Sequence, residues 1–187
     1  MHDLTGRRIA ILATHGFEYS ELTVPLRKLA EAGAEVTGVS PENGEIRGWD
    51  KDDWGQSVRV DRSLDEASVD DYDALVLPGG QINPDLLRIE PQAIELIQDF
   101  FDAKKTLAAI CHAPWLLIEA DLLRGRPATS YKSIRKDVEN AGGRWVDQEV
   151  VCDQGIITSR NPGDLDAFCT KIAEEICEGV HRGRAVA

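Results

Sequence analysis

The sequence has little positive charge. It contains 21 Lys and Arg residues against 33 Asp and Glu residues, for a formal net charge of −12. Duplex DNA and anionic membranes repel such a protein at any distance that salt does not screen. We therefore expect neither a nucleic acid nor a membrane as partner. The acidity favours solubility and does not specify a fold.

Cysteine is also sparse. The four cysteines, at 111, 152, 169 and 177, form no CxxC pair and are too few for a disulfide scaffold in 187 residues. The four histidines are scattered, so no pair has the spacing of zinc ligands and we expect no metal site. The apolar run at residues 9–13 is too short for a signal core or a membrane span. These absences predict reduced thiols in a cytoplasmic protein.

The sequence does contain short apolar segments that alternate with amphipathic ones. Strands are predicted at residues 8–14, 35–39, 74–77, 106–110, 125–129, 150–153 and 156–159. Helical spacing occurs at residues 20–32, 91–101, 112–120, 131–141 and 164–177, and residues 41–62 predict a loop with a small hairpin. This alternation predicts an α/β fold in one domain over residues 1–187, with a mostly parallel sheet covered by helices on both faces.

Unusual residues follow three of the predicted strands, as the segments THGFEYSE, PGGQINPD and CHAP. In open parallel sheets the ligand site lies beyond the carboxyl ends of the strands, so we expect these loops to converge. Cys111 stands between a strand and a helix, the setting of a nucleophile elbow, where helix N–H groups favour the thiolate. His112 adds a neighbouring base. The alternative is a small buried cysteine at the end of a core strand.

Four other residues are candidates for this site, each with a simpler alternative. Glu18 is either an acid at a helix start or a carboxyl group that exchanges a proton near the sulfur. Gly79 and Gly80 form either a plain turn or a close backbone approach whose N–H groups, with that of His112, hold an oxyanion. Asp85 either caps a short helix or orients a histidine.

The motifs GFEYSEL, LVLPGG, NPDLLR, AAICHAP, LLRGRPATSY and TSRNPGDL, taken in order, resemble the PfpI family. This family belongs to the class I glutamine amidotransferase-like superfamily, which includes the parkinsonism-associated deglycase. The resemblance runs from about residue 8 to residue 177. It implies a flavodoxin-like three-layer sandwich, Cys111 as nucleophile, Glu18 touching its sulfur and His112 as base. It also implies that a neighbouring subunit supplies the carboxylate for His112, at the position of Asp85, and hence a homodimer or larger assembly.

Family members have been described as cofactor-free glyoxalases, as deglycases of early glycation adducts, as intracellular peptidases and as stress proteins with an oxidisable cysteine. We therefore expect a cofactor-free cysteine enzyme that acts on a small carbonyl compound such as methylglyoxal or on its early adducts. A peptidase and a redox-sensing or chaperone-like stress protein stay as alternatives, because fold and site transfer more safely than substrate.

Overall fold

A seven-stranded sheet forms the centre of the protein. The structure is a computed structural model and describes residues 2–184. The strand order is β10-β11-β7-β6-β1-β2-β5, and every neighbouring pair is parallel except β10 with β11. The strands are β1 (Arg8–Leu12), β2 (Glu35–Ser40), β5 (Arg62–Ser63), β6 (Ala74–Leu77), β7 (Thr106–Ile110), β10 (Val150–Asp153) and β11 (Ile156–Ser159).

Two smaller sheets lie outside the central one. The first is the antiparallel hairpin of β3 (Glu45–Asp50) and β4 (Asp53–Arg59), and the second pairs β8 (Pro127–Ala128) with β9 (Arg144–Trp145). The helices are α1 (Tyr19–Glu31), α2 (Ile82–Leu87), α3 (Pro91–Asp102), α4 (Pro114–Glu119), α5 (Arg135–Asn140) and α6 (Leu165–Glu178). In the part of the chain that the structure describes, no helix combines the length and apolar character needed to cross a bilayer.

The core divides between the two faces of the sheet because side chains alternate along each strand. On β1, Ile9 and Ile11 join the cluster packed under α1 and α6, whereas Ala10 and Leu12 join the cluster under α3 and α4. Strands β6 and β7 alternate in the same way, so both of their faces are apolar. The predicted α/β fold, three layers around a mostly parallel sheet, is confirmed.

Several predicted segments differ from the observed ones. The strand predicted at residues 125–129 shrinks to β8, which pairs with β9 instead of joining the central sheet. The helix predicted from residue 112 begins at Pro114, after a turn. Residues 131–141 divide into a 3-10 turn, Lys132–Ile134, and the short helix α5. In these short segments tertiary contacts override local preference.

Candidate active site

Cys111 lies at the carboxyl end of β7 in a backbone conformation that only few residues adopt. Its φ is +64°, in the left-handed region, which is uncommon for any residue other than glycine. Its N–H donates to the carbonyl of Ser159 at 3.0 Å, and its carbonyl accepts from the N–H of Tyr131 at 2.8 Å. Both peptide groups are therefore held, so the strain is imposed by the surrounding structure. Strain of this kind clusters at functional sites.

A buried carboxyl group lies against the sulfur, and it belongs to Glu21. The Glu21 side chain is completely buried, and its Oε2 accepts the N–H of Gly79 at 2.9 Å. The carboxyl and the Cys111 thiol are close enough for each to shift the pKa of the other. Burial, reinforced by the charge of Glu18, raises the pKa of Glu21 from 4.5 to about 8. At neutral pH the carboxyl is protonated and can donate a proton at the sulfur.

Glu21, rather than the predicted Glu18, is the carboxyl group that acts on the Cys111 thiol. The Glu18 carboxyl accepts instead from the hydroxyl of Ser20 at 3.1 Å, and burial raises its pKa. Glu18 precedes the first residue of α1 and lines the cavity above Cys111. Glu21, one turn further along, points into the protein on the buried stripe that also carries Leu22, Pro25 and Leu29.

Opposing influences act on the Cys111 thiol. Only 6% of the residue is exposed, and burial raises the pKa of the thiol, as does negative charge on Glu21. The backbone N–H groups of Gly80 and His112 act in the opposite direction. The raised pKa is opposite in sign to the shift predicted from a helix N-terminus. The physical reason is that α4 begins three residues beyond the sulfur and the thiol is buried.

His112 follows the cysteine with its ring held between two aromatic side chains. The Tyr131 ring stacks on it at 4.8 Å between centroids, and Trp115 meets it edge-on at 5.3 Å. Its Nδ1 lies 3.2 Å from the sulfur of Cys111, and its Nε2 lies 3.1 Å from the hydroxyl oxygen of Ser133. Burial lowers the pKa of His112. The imidazole is therefore neutral at neutral pH and can accept the thiol proton.

The two glycines after β6 have different parts in this site. A Cβ on Gly79 would lie 2.7 Å from the Cβ of Cys111 and from Oε2 of Glu21, so a side chain is excluded there. The Gly79 N–H is occupied by Glu21, which removes it from the predicted oxyanion donors. Gly80 has φ +80° and directs its N–H to the sulfur, as His112 does. These two N–H groups agree with the oxyanion-binding pair suggested by the sequence.

The sulfur lies at an open cavity of about 480 Å³ whose lining includes Glu18, Glu21, Trp49, Cys111, His112 and Tyr131. The hairpin of β3 and β4 forms one wall. It is attached to the loop after β1, because Trp49 donates its N–H to the carbonyl of Phe17 at 2.7 Å and Gly16 donates to the carbonyl of Arg47 at 2.8 Å. Lys51, at the tip of the hairpin, also lines the cavity. A small polar molecule fits this space.

Asp85 does not reach His112 within the chain. It lies on α2 with an exposed side chain that makes no hydrogen bond or ion pair to any residue of the described region 2–184. Ser133 occupies the position at Nε2 that the resemblance gave to a carboxylate. The contact of Asp85 with a neighbouring subunit stays a prediction.

Other polar groups lie away from the cavity. Arg160 is paired with Asp147 at 2.7 Å and with Asp164 at 2.8 Å, so its charge is already neutralised. Among the described residues, the ligand atoms of Glu175, Glu178 and His181 lie within 4.8 Å of one another, close enough for a metal ion. Glu175 and Glu178 lie in the last turn of α6, and His181, just after the helix, donates its N–H to the carbonyl of Lys104, before β7 begins. It therefore lies near the amino-terminal end of β7, whereas Cys111 follows the carboxyl-terminal end of that strand.

Sequence reasoning missed Glu21 and Ser133. Glu21 did carry a signal, because it is four residues before Pro25 and eight before Leu29 on the buried face of α1, where a charged residue is rare. Ser133 carried none. Its nearness to His112 depends on a turn that returns to the elbow over 21 residues.

Fold and site together define a class of protein: α/β proteins with a cysteine at a strand-to-helix elbow, backed by a buried carboxyl group. A scan against family models agrees, since the DJ-1/PfpI family model matches residues 7–175. The chain belongs to the DJ-1/PfpI family.

Individual relatives agree with this membership. The chain is 45% identical to Deglycase PfpI of Pyrococcus furiosus over 161 residues, which cover 86% of this chain and 94% of that protein. It is 43% identical to YraA of Bacillus subtilis, whose name describes it as a candidate cysteine protease, over 87% of this chain and 94% of that one. The crystal structure of Drosophila melanogaster DJ-1beta matches with a TM-score of 0.84 at 29% identity, covering 91% of this chain and 90% of that chain.

Proposed function

We propose that the protein is a cofactor-free cysteine enzyme that detoxifies reactive dicarbonyl compounds such as methylglyoxal, or removes their early adducts. The observation that carries this proposal is the protonated, buried Glu21 carboxyl beside the Cys111 sulfur, at a cavity that suits a small molecule. A relative named a deglycase, at 45% identity, supports it.

The reaction begins when Cys111 adds to the aldehyde carbon. His112 Nδ1, 3.2 Å from the sulfur, takes the thiol proton as the S–C bond forms. The protonated Glu21 carboxyl gives its proton to the aldehyde oxygen, which becomes the hydroxyl of a hemithioacetal beside the N–H groups of Gly80 and His112, and Glu21 is left as a carboxylate. With an early adduct, the amine leaves from this carbon.

The second stage moves a proton between neighbouring carbons. The carboxylate left by the first stage removes the proton from the hemithioacetal carbon and returns it to the adjacent carbonyl carbon, while the hydroxyl proton passes to the carbonyl oxygen, which gives a lactate thioester. Water then hydrolyses the thioester and restores the thiol. The buried Glu21 carboxyl acts directly on the Cys111 thiol, and we assign it this transfer. Glu18, the second carboxyl group at the cavity, is the competing assignment.

The test is lactate formation from methylglyoxal without glutathione. We expect activity in the wild type, none in Cys111→Ala, and unchanged activity in Cys177→Ala, which alters an exposed cysteine outside the cavity. Glu21→Gln should reduce kcat by about 100-fold or more, the usual size for loss of an acid–base group, and Glu18→Gln by much less. Equal conversion by the wild type and Cys111→Ala would refute the proposal.

Peptide hydrolysis is a second candidate, favoured by the 3.2 Å contact between Cys111 and His112 and by the name of YraA. An acyl-enzyme intermediate would form on Cys111. A fluorogenic peptide distinguishes the two reactions, since hydrolysis through an acyl-enzyme gives a burst of product. Carbonyl isomerisation without any such burst favours the first proposal.

A further inference from the structure

The contacts of the His112 ring fix its orientation. They leave open which of its two nitrogens carries the proton. Tyr131 and Trp115 hold its faces and edge, and Nδ1 faces the sulfur. In a neutral imidazole only one nitrogen carries a proton, and the partner of the other nitrogen sets which one it is. That partner is the hydroxyl of Ser133, 3.1 Å from Nε2.

Ser133 is itself tied to the elbow. It is the middle residue of the 3-10 turn Lys132–Ile134, in which Ile134 donates its N–H to the carbonyl of Tyr131 at 3.1 Å. Tyr131 in turn donates its N–H to the carbonyl of Cys111 at 2.8 Å. The backbone of Ser133 is therefore tied to the elbow, which keeps its hydroxyl within reach of Nε2.

We propose that Ser133 is the positioning residue of His112, accepting the Nε2–H so that Nδ1 is free to take the proton of Cys111. The other tautomer would place an N–H of the ring against the S–H of the thiol, and His112 could then not act as a base. The same Nε2–H···O contact persists after the transfer, when both ring nitrogens carry protons. Within the chain, a neutral hydroxyl lies at the nitrogen for which a carboxylate was expected.

A hydroxyl differs from a carboxylate in one measurable respect. It accepts the hydrogen bond but brings no negative charge, so it does little to stabilise the imidazolium that forms on proton transfer. A carboxylate at the same place would stabilise both the imidazolium and the thiolate. Changing Ser133 to Asp should therefore have an effect opposite to changing it to Ala, a pattern that a merely structural role does not produce.

The experiment measures the rate of Cys111 alkylation by iodoacetamide from pH 5 to 9, followed by mass spectrometry of the labelled peptide. Ser133→Ala should slow the reaction at pH 7 by about 3- to 10-fold, the size expected for one neutral hydrogen bond. Ser133→Thr, which keeps the hydroxyl, should restore the wild-type rate. Ser133→Asp should move the midpoint of the pH profile to lower pH. Ser57→Ala, on the exposed face of β4, is the matched control.

A profile for Ser133→Ala that matches the wild type at every pH would overturn the proposal. If alkylation slowed in Asp85→Asn and did not slow in Ser133→Ala, the proposal would also be overturned, because the positioning role would then belong to Asp85. Alkylation requires no substrate. The result is therefore independent of whether the protein converts methylglyoxal, and the two proposals can fail separately.

Discussion

Replacing Glu21 by Gln should change how stability depends on pH. The carboxyl is completely buried, with Oε2 bonded to the Gly79 N–H, and Oε1 has no hydrogen-bond partner among the described residues. Its pKa is about 8 in the folded protein and 4.5 in the reference state. Glutamine has the same shape, can donate to the sulfur and cannot ionise, so it removes the titration with little change in packing.

The sign follows from proton binding. Between pH 4.5 and about 8 the folded protein keeps the Glu21 proton and the unfolded chain has lost it. Folding then takes up a proton, so the free energy of unfolding falls as pH rises through this window and levels off above it. At about 1.4 kcal/mol per pH unit, the window corresponds to about 5 kcal/mol. Glu21→Gln lacks this decrease. From pH 4 to pH 9 its free energy of unfolding should therefore rise by about 5 kcal/mol relative to that of the wild type.

Urea denaturation of both proteins at pH 4, 6, 7.5 and 9 tests the reasoning, read as the difference in unfolding free energy at each pH. Glu95→Gln, on the exposed side of α3, is the control for removing a negative charge, and its difference from the wild type should stay nearly constant. Parallel pH profiles for the wild type and Glu21→Gln would show that Glu21 is already ionised in the folded protein. Its role as a proton donor at the sulfur would then be lost.

Two further predictions concern the neighbours of the sulfur. Because burial lowers the pKa of His112, the apparent pKa of the acid limb of the kcat/KM profile should lie below the ordinary histidine value of about 6.5. An apparent pKa above that value would contradict the assignment of His112 as a neutral base. Gly80→Ala should lower the unfolding free energy by about 1–3 kcal/mol and reduce activity. The residue has φ +80° and a Cβ there would lie 2.5 Å from the carbonyl oxygen of Gly16; an unchanged urea midpoint would refute this.

Much of the architecture followed from local pattern. The strands β1, β6 and β7 are continuous apolar runs, and the helices α1, α3 and α6 have clear helical spacing, so their places in the chain were predictable. The short segments around the site were not. The segment β8 has two residues, and the turn before α5 takes its form from contacts with the elbow.

What the sequence determined by itself is the framework and the location of the thiol: Cys111 at the end of a buried strand, His112 next to it, and Gly80 in the neighbouring loop. These follow from short-range spacing and from the rule that strand ends of a parallel sheet share one edge. Only the tertiary structure decided which carboxyl group meets the sulfur and which side chain meets His112. Glu18 and Glu21 are both near the start of α1, and the rotation of that helix against the sheet turns the second toward Cys111 and leaves the first at the cavity. Ser133 reaches His112 because a distant turn is hydrogen-bonded to the elbow, a contact between residues far apart in sequence that no local pattern records.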